Sequence, residues 1–203
     1  VTISRSCLLL IIVAAVSANT VPPRIAIATI VPRDGTSAIS GSIQFTETDN
    51  GLRATGNIAG LPAGNYGFHV HELGDITTCD ASGAHFNPEA RNHGGRDHAV
   101  RHVGDLGNVV FNAASMASVD FTDTILSLRG RNSIIGRTLV LHAQEDDLGL
   151  ANDEQSLITG NAGARVACGV IGIRSPAAPW NSAVTSTPSL LLFIAAALFA
   201  YFR

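Results

Sequence analysis

The stretch Ser40-Gly41-Ser42-Ile43-Gln44-Phe45-Thr46-Glu47-Thr48 sets bulky apolar residues alternately with small or polar ones. Ile43 and Phe45 fall on one face of an extended chain and Ser42 and Gln44 on the other, the pattern of a half-buried β-strand. Runs rich in Val, Ile, Thr and Phe recur at 24–31, 66–72, 108–111, 137–143 and 165–173, separated by Gly, Asn, Asp and Pro clusters. No long stretch carries the 3.6-residue period of an amphipathic helix. The predicted class is all-β, a sandwich or a barrel. Two stretches break the rhythm: 73–105, full of Gly, His, Asp and Asn, and 145–164, acidic and glycine-containing. Long loops inside a compact domain are usually functional, and both adjoin histidines.

The 203 residues suffice for one good-sized domain. All 13 basic residues are arginine, set against 16 acidic ones, and none form a basic stripe, which argues against nucleic acid as a partner. The apolar residues concentrate at the two ends. Residues 1–18 read as a secretory signal peptide: Arg5, an apolar run from Cys7 to Val16, then small residues with Val16 and Ala18 at the −3 and −1 places of a cleavage site. A buried N-terminal element or a membrane anchor is the alternative. Residues 19–175 form the expected domain and 176–189 a polar spacer. Residues 190–203 hold the apolar block Leu190 to Phe202 and a closing Arg203. Small residues at 181–183 followed by an apolar tail fit a glycolipid-anchor signal, and a retained tail anchor is the other reading. The expected destination is the secretory pathway, then the extracellular space or the cell surface.

Cysteine usage agrees with export. Cys7 would leave with the leader, and Cys79 and Cys168 remain as an even pair that most simply forms one disulfide.

Seven histidines are present: His69, His71, His85, His93, His98, His102 and His142. His69 and His71 lie two apart in a strand-like run, so their imidazoles share a face and can hold one ion. The first loop supplies His85, His93 and His102, with Asp105 three residues further on, and His142 ends a later strand. Imidazole is the usual ligand for copper and zinc. A dedicated metal site follows, but the division of these residues between ions does not follow from spacing.

The stretches GFHVHELGD, GAHFNPEARNHGG, RHVGDLGNV, IIGRTLVLHAQEDDLG and TGNAGARVACGVIGI resemble the copper–zinc superoxide dismutase family across nearly all of 66–173. The resemblance implies a Greek-key β-barrel with a metal-binding and an electrostatic loop. It also implies dismutation of superoxide, with one copper and one zinc per chain. His69, His71, His85 and His142 would hold copper. His85, His93, His102 and Asp105 would hold zinc, with His85 bridging both ions and carrying a proton. Asp146 would tie His69 to His93, while His98 has no ligand role in that pattern and reads as a loop surface residue. Arg165 would stand beside copper as a catalytic cation, with Glu154 and Thr159 along the channel. Cys79 and Cys168 would pair, and Leu73, Ile135, Gly136, Ile171 and Ile173 would form the face of a homodimer.

The chain departs from that family where lysines commonly draw superoxide inward: Gln144 and Ile158 stand there instead. Arg5 and Arg203 lie outside residues 19–181, which therefore carry 11 arginines against 16 acidic residues, a net charge of −5. Two rival readings are a copper chaperone and an exported metal-storage protein. The complete ligand set and Arg165 argue against both, and the lack of a second cysteine motif argues against the chaperone.

Overall fold

A computed structural model describes residues 22–35, 38–177 and Trp180. The expected leader at 1–18, most of the spacer and the apolar tail at 190–203 lie outside the described residues. Among the described residues, no helix is long and apolar enough to cross a membrane.

Eight antiparallel strands close into a barrel: β1 (Ile25–Pro32), β2 (Ser40–Thr48), β3 (Gly51–Ala59), β4 (Gly64–His71), β5 (Asp105–Phe111), β6 (Met116–Asp123), β7 (Thr138–His142) and β8 (Arg165–Ser175). The order around the wall is β1-β2-β3-β6-β5-β4-β7-β8, so β3 pairs with β6 and β4 with β7 in Greek-key fashion. The opening stretch forms β2 with the expected faces: Ile43 and Phe45 are wholly buried in the core beside Ile30, Leu52, Phe68 and Phe111. β3 and β6 were not among the strands named from the sequence. In β3 the inward series Leu52, Ala54, Gly56, Ile58 is broken by a glycine, because a Cβ at Gly56 would stand 2.0 Å from the Ser42 carbonyl oxygen and 3.0 Å from Ile43 Cδ1. In β6 the inward series ends on Asp123, whose buried carboxylate pairs with Arg101.

The strands that carry the histidines are buried on both faces. In β4, Phe68 and Val70 enter the core while His69 and His71 point out of the barrel, yet all four are buried. β7 is buried throughout, with Leu139 and Leu141 inward and His142 outward. The cover comes from the two loops. The first, between β4 and β5, carries a 3₁₀ turn at Cys79–Ser82, and the second, between β7 and β8, one helical turn, α1 (Ser156–Thr159). The site therefore lies between the barrel wall and the loops, outside the core. Cys79 and Cys168 form a disulfide, Cα to Cα 5.7 Å, which fastens the first loop to β8 against Val140.

Of the residues expected on a dimer face, Leu73 and Ile173 are about half exposed, Gly136 is exposed and Ile135 is partly buried. Ile171 departs from that expectation: it is fully buried in the core, whereas Ile173, two residues further along the same face of β8, lies near the end of the strand and is exposed.

Candidate metal centre

Two four-residue groups adjoin beneath the loops and share His85: His69, His71, His85 and His142, and His85, His93, His102 and Asp105. All seven side chains are buried. Hydrogen bonds on the far side of each ring fix which nitrogen faces inward. His71 Nδ1 donates to the Gly83 carbonyl at 2.9 Å and His142 Nδ1 to the Gly163 carbonyl at 3.0 Å, so both present an Nε2 lone pair, and these two Nε2 atoms lie 3.3 Å apart. His69 is turned the other way. Its Nε2 donates to Asp146 Oδ2 at 2.8 Å, and its Nδ1 faces the group. His85 Nδ1 stands 2.9 Å from Asp105 Oδ1, which leaves its Nε2 for the first group.

In the second group Asp105 meets three imidazoles: His85, His102 Nδ1 at 3.1 Å and His93 Nδ1 at 3.0 Å. The backbone N–H groups of Gly94 and His102 donate to its Oδ2. Burial alone would raise the Asp105 carboxyl, but His102, His85 and His93 hold it well below the usual carboxylate range. Burial pushes His69 and His71 well below the ordinary imidazole value, and His142 down to about 4, which keeps these rings neutral as a metal requires. Burial also acts against a charge on His93, but the Asp105 and Asp146 carboxylates on its two sides outweigh it and hold the ring up to about 9.

The donors fit two ions. The Nδ1 atoms of His69 and His93 are buried without a hydrogen-bond partner, and the latter faces Asp105 without the alignment of a hydrogen bond. A buried ring nitrogen left without a partner is costly unless a cation meets it, and one such atom lies in each group. The edge of a tetrahedron with metal–nitrogen bonds of ~2.0 Å is about 3.3 Å, close to the contacts above.

Asp146 joins the two groups, with Oδ2 on His69 and Oδ1 on His93 Nε2, both at 2.8 Å. Burial works against its charge, and these two histidines outweigh burial to hold its carboxyl well below the usual range. Two residues that sequence reasoning missed keep it in place. Asn108 on β5 donates to the Asp146 carbonyl and accepts from its N–H, each at 2.8 Å. Gly160, at φ +64°, closes over the bridge: a Cβ there would lie 2.0 Å from Asp146 Oδ1 and 2.4 Å from His93 Nε2. A glycine after a helical turn signals only a cap, so nothing local in the sequence marks this second use. Gly160→Ala is expected to pull Asp146 off His93 and weaken zinc retention about tenfold or more against a chelator. Gly130→Ala, at φ +68° with open space around it, carries the same backbone cost and should retain zinc normally.

His71, His85 and His142 form the base of a cleft of about 390 Å³ with Arg165 at one side. Arg165 Nη1 donates to the carbonyls of Cys79 and Asp80 and to Ser82 Oγ, and Nη2 to the Gly83 carbonyl at 2.6 Å. These contacts use Nη1 and one N–H of Nη2, leaving the other Nη2–H and Nε–H without a hydrogen bond, with Asp80 Oδ1 4.0 Å from Nε. Thr159 lines the cleft, whereas Glu154 does not; Gln155 lies in the lining instead, because the turn into α1 carries its predecessor out to solvent. His98 is exposed on the first loop and belongs to neither group.

A Greek-key barrel whose outer wall holds two adjoining imidazole-rich groups around one common histidine defines a dinuclear metalloprotein. The sequence matches the family copper/zinc superoxide dismutase over residues 39–171. It is 50% identical over 139 residues to the extracellular superoxide dismutase [Cu-Zn] of Drosophila melanogaster, covering 67% of this chain and 77% of that protein. It is 51% identical over 140 residues to superoxide dismutase [Cu-Zn] A of Xenopus laevis, covering 68% and 92%. A solved structure described as the clock protein EA4 superposes with a TM-score of 0.72 at 49% identity, covering 76% of this chain and 97% of that one. The chain belongs to the copper/zinc superoxide dismutase family, and copper and zinc are the ions its clusters suit.

Proposed function

We propose that the chain is a superoxide dismutase working outside the cytosol, converting 2 O₂⁻ + 2 H⁺ to O₂ + H₂O₂. The observation that carries this reading is the sharing of His85 between two four-donor groups at the base of a cleft flanked by Arg165. His69, His71, His85 and His142 hold copper, and His85, His93, His102 and Asp105 hold zinc. Copper supplies one-electron exchange with superoxide when bound, and zinc supplies fixed charge beside it. Arg165 receives the small anion on its free N–H edge and stabilises its charge. The Nδ1 of His85 is committed to the Asp105 side, so its Nε2 is the atom that takes up a proton and gives it to peroxide at the base of the cleft. Asp146, backed by Asn108, keeps His69 and His93 in their orientations. After reconstitution we expect one copper and one zinc per chain and rapid removal of superoxide. Copper uptake without zinc, or full loading without turnover, would overturn the assignment.

The extracellular relative, the leader-like residues 1–18 and the Cys79–Cys168 disulfide support export. Residues 190–203 supply membrane attachment through a glycolipid anchor. A phosphatidylinositol-specific phospholipase should then release the protein from cells. Retention with Phe202 still present by mass spectrometry would favour a tail anchor. Leu73, Ile135, Gly136 and Ile173 form the face of a homodimer.

A further inference from the structure

The two loops each set an apolar side chain in the wall of the cleft. Ile158, on α1 of the second loop, is 46% exposed there, and Ala84 contributes from the first loop. Gln144, Gln155, Thr159 and Asn161 add only neutral groups. Among the described residues lining the cleft, Arg165 is the one with a permanent charge. The cleft thus joins a two-donor cationic edge to an apolar wall in a volume ample for a small organic molecule. Superoxide uses the first feature and has no body to place against the second.

We propose that the cleft also binds aliphatic monocarboxylates, with the carboxylate on the Nε–H and Nη2–H of Arg165 and the alkyl chain against Ile158 and Ala84, in competition with superoxide. This rests on the reading of Arg165 as the anion-holding group. Carboxylate and guanidinium match in shape and charge, and the bonds from Nη1 and Nη2 to the loop at 79–83 hold the fork in place before any ligand arrives. A methylene laid on a half-exposed apolar wall contributes less than a fully buried one, so affinity should rise about twofold per added CH₂.

The test titrates acetate, butyrate and hexanoate at constant ionic strength, reading the dissociation constant by calorimetry and the inhibition constant against superoxide. The same titrations on zinc-loaded, copper-free protein remove any contribution from direct ligation of copper. Hexanoate is expected to bind roughly tenfold more tightly than acetate or better, with or without copper. Ile158→Ser should leave acetate unchanged and abolish most of the gain with chain length. Arg165→Ile should weaken all three ligands. A wild-type protein with no dependence on chain length would overturn the proposal, and so would an Ile158→Ser variant with the full dependence. Either result would leave Arg165 and dismutation standing. Arg165→Ile binding all three ligands normally would overturn the proposal together with the role given to that residue, while turnover of superoxide, measured in parallel, reports on the dismutase reading by itself.

Discussion

Arg165→Ile should lower the rate of superoxide dismutation by roughly 10–100-fold while copper and zinc contents stay at one each per chain. The magnitude is that of removing one preorganised charge from beside a reacting anion. The metals should stay because the hydrogen bonds of Arg165 go to carbonyls and a hydroxyl of residues 79–83, and its ion pair to Asp80, none of them a metal ligand. The rate is read by fast kinetics on fully loaded protein, and the metals by elemental analysis. A variant with both metals and an unchanged rate would remove Arg165 from the mechanism. The wild-type rate should respond weakly to salt, since Gln144 and Ile158 bring no charge to the cleft and residues 19–181 are net acidic. Gln144→Lys with Ile158→Lys should raise the rate at 0.01 M salt, where the Debye length is about 30 Å, and lose most of that gain at 0.1 M, where it is about 10 Å.

Removal of the disulfide by Cys79→Ser and Cys168→Ser is expected to have the largest effect on stability. The bond joins residues 89 apart, and closing a loop of that length stabilises by about 4–5 kcal/mol in the chain-entropy treatment. For a domain of this size that corresponds to a fall in Tm of roughly 10–20 °C. The change should reach the chemistry before the protein melts. The turn at Cys79–Ser82 and the following Gly83 supply the carbonyls that hold Arg165, and the Gly83 carbonyl also fixes the tautomer of His71. Released from β8, this segment should hold both less firmly, so copper affinity and rate should fall together below the melting temperature. Calorimetry and copper competition measure the two effects. A variant with lowered Tm but normal copper affinity and rate would mean that the loop keeps its place without the bond.

His69 and His71 share a face because strand geometry puts every second side chain on the same side, so their pairing was legible in the sequence. So were β2, the placing of the chemistry in two long loops, and the pairing of Cys79 with Cys168. Each depends on local periodicity or on a simple count of residues. The grouping of the ligands depends on which strands become neighbours. β4 pairs with β7 to bring His71 within 3.3 Å of His142 across 71 residues of sequence, and no spacing rule encodes that contact. Spacing left the division between the two ions open, and only the resemblance to a known family supplied it in advance.

Tertiary structure also decided features with no side-chain signature. The carbonyls of Gly83 and Gly163 orient His71 and His142, and Gly160 closes over the bridge from Asp146, because a backbone group or a missing Cβ acts through position and not through residue type. Tertiary structure likewise sets Gln155 and not Glu154 in the lining of the cleft, and places Ile171 in the core. The sequence by itself determined which residues could ligate metal and most of the strands, since these follow from chemistry and short-range periodicity, while β3 and β6 escaped it. The barrel decided which of them meet, since that depends on register and on loops folding back over the wall.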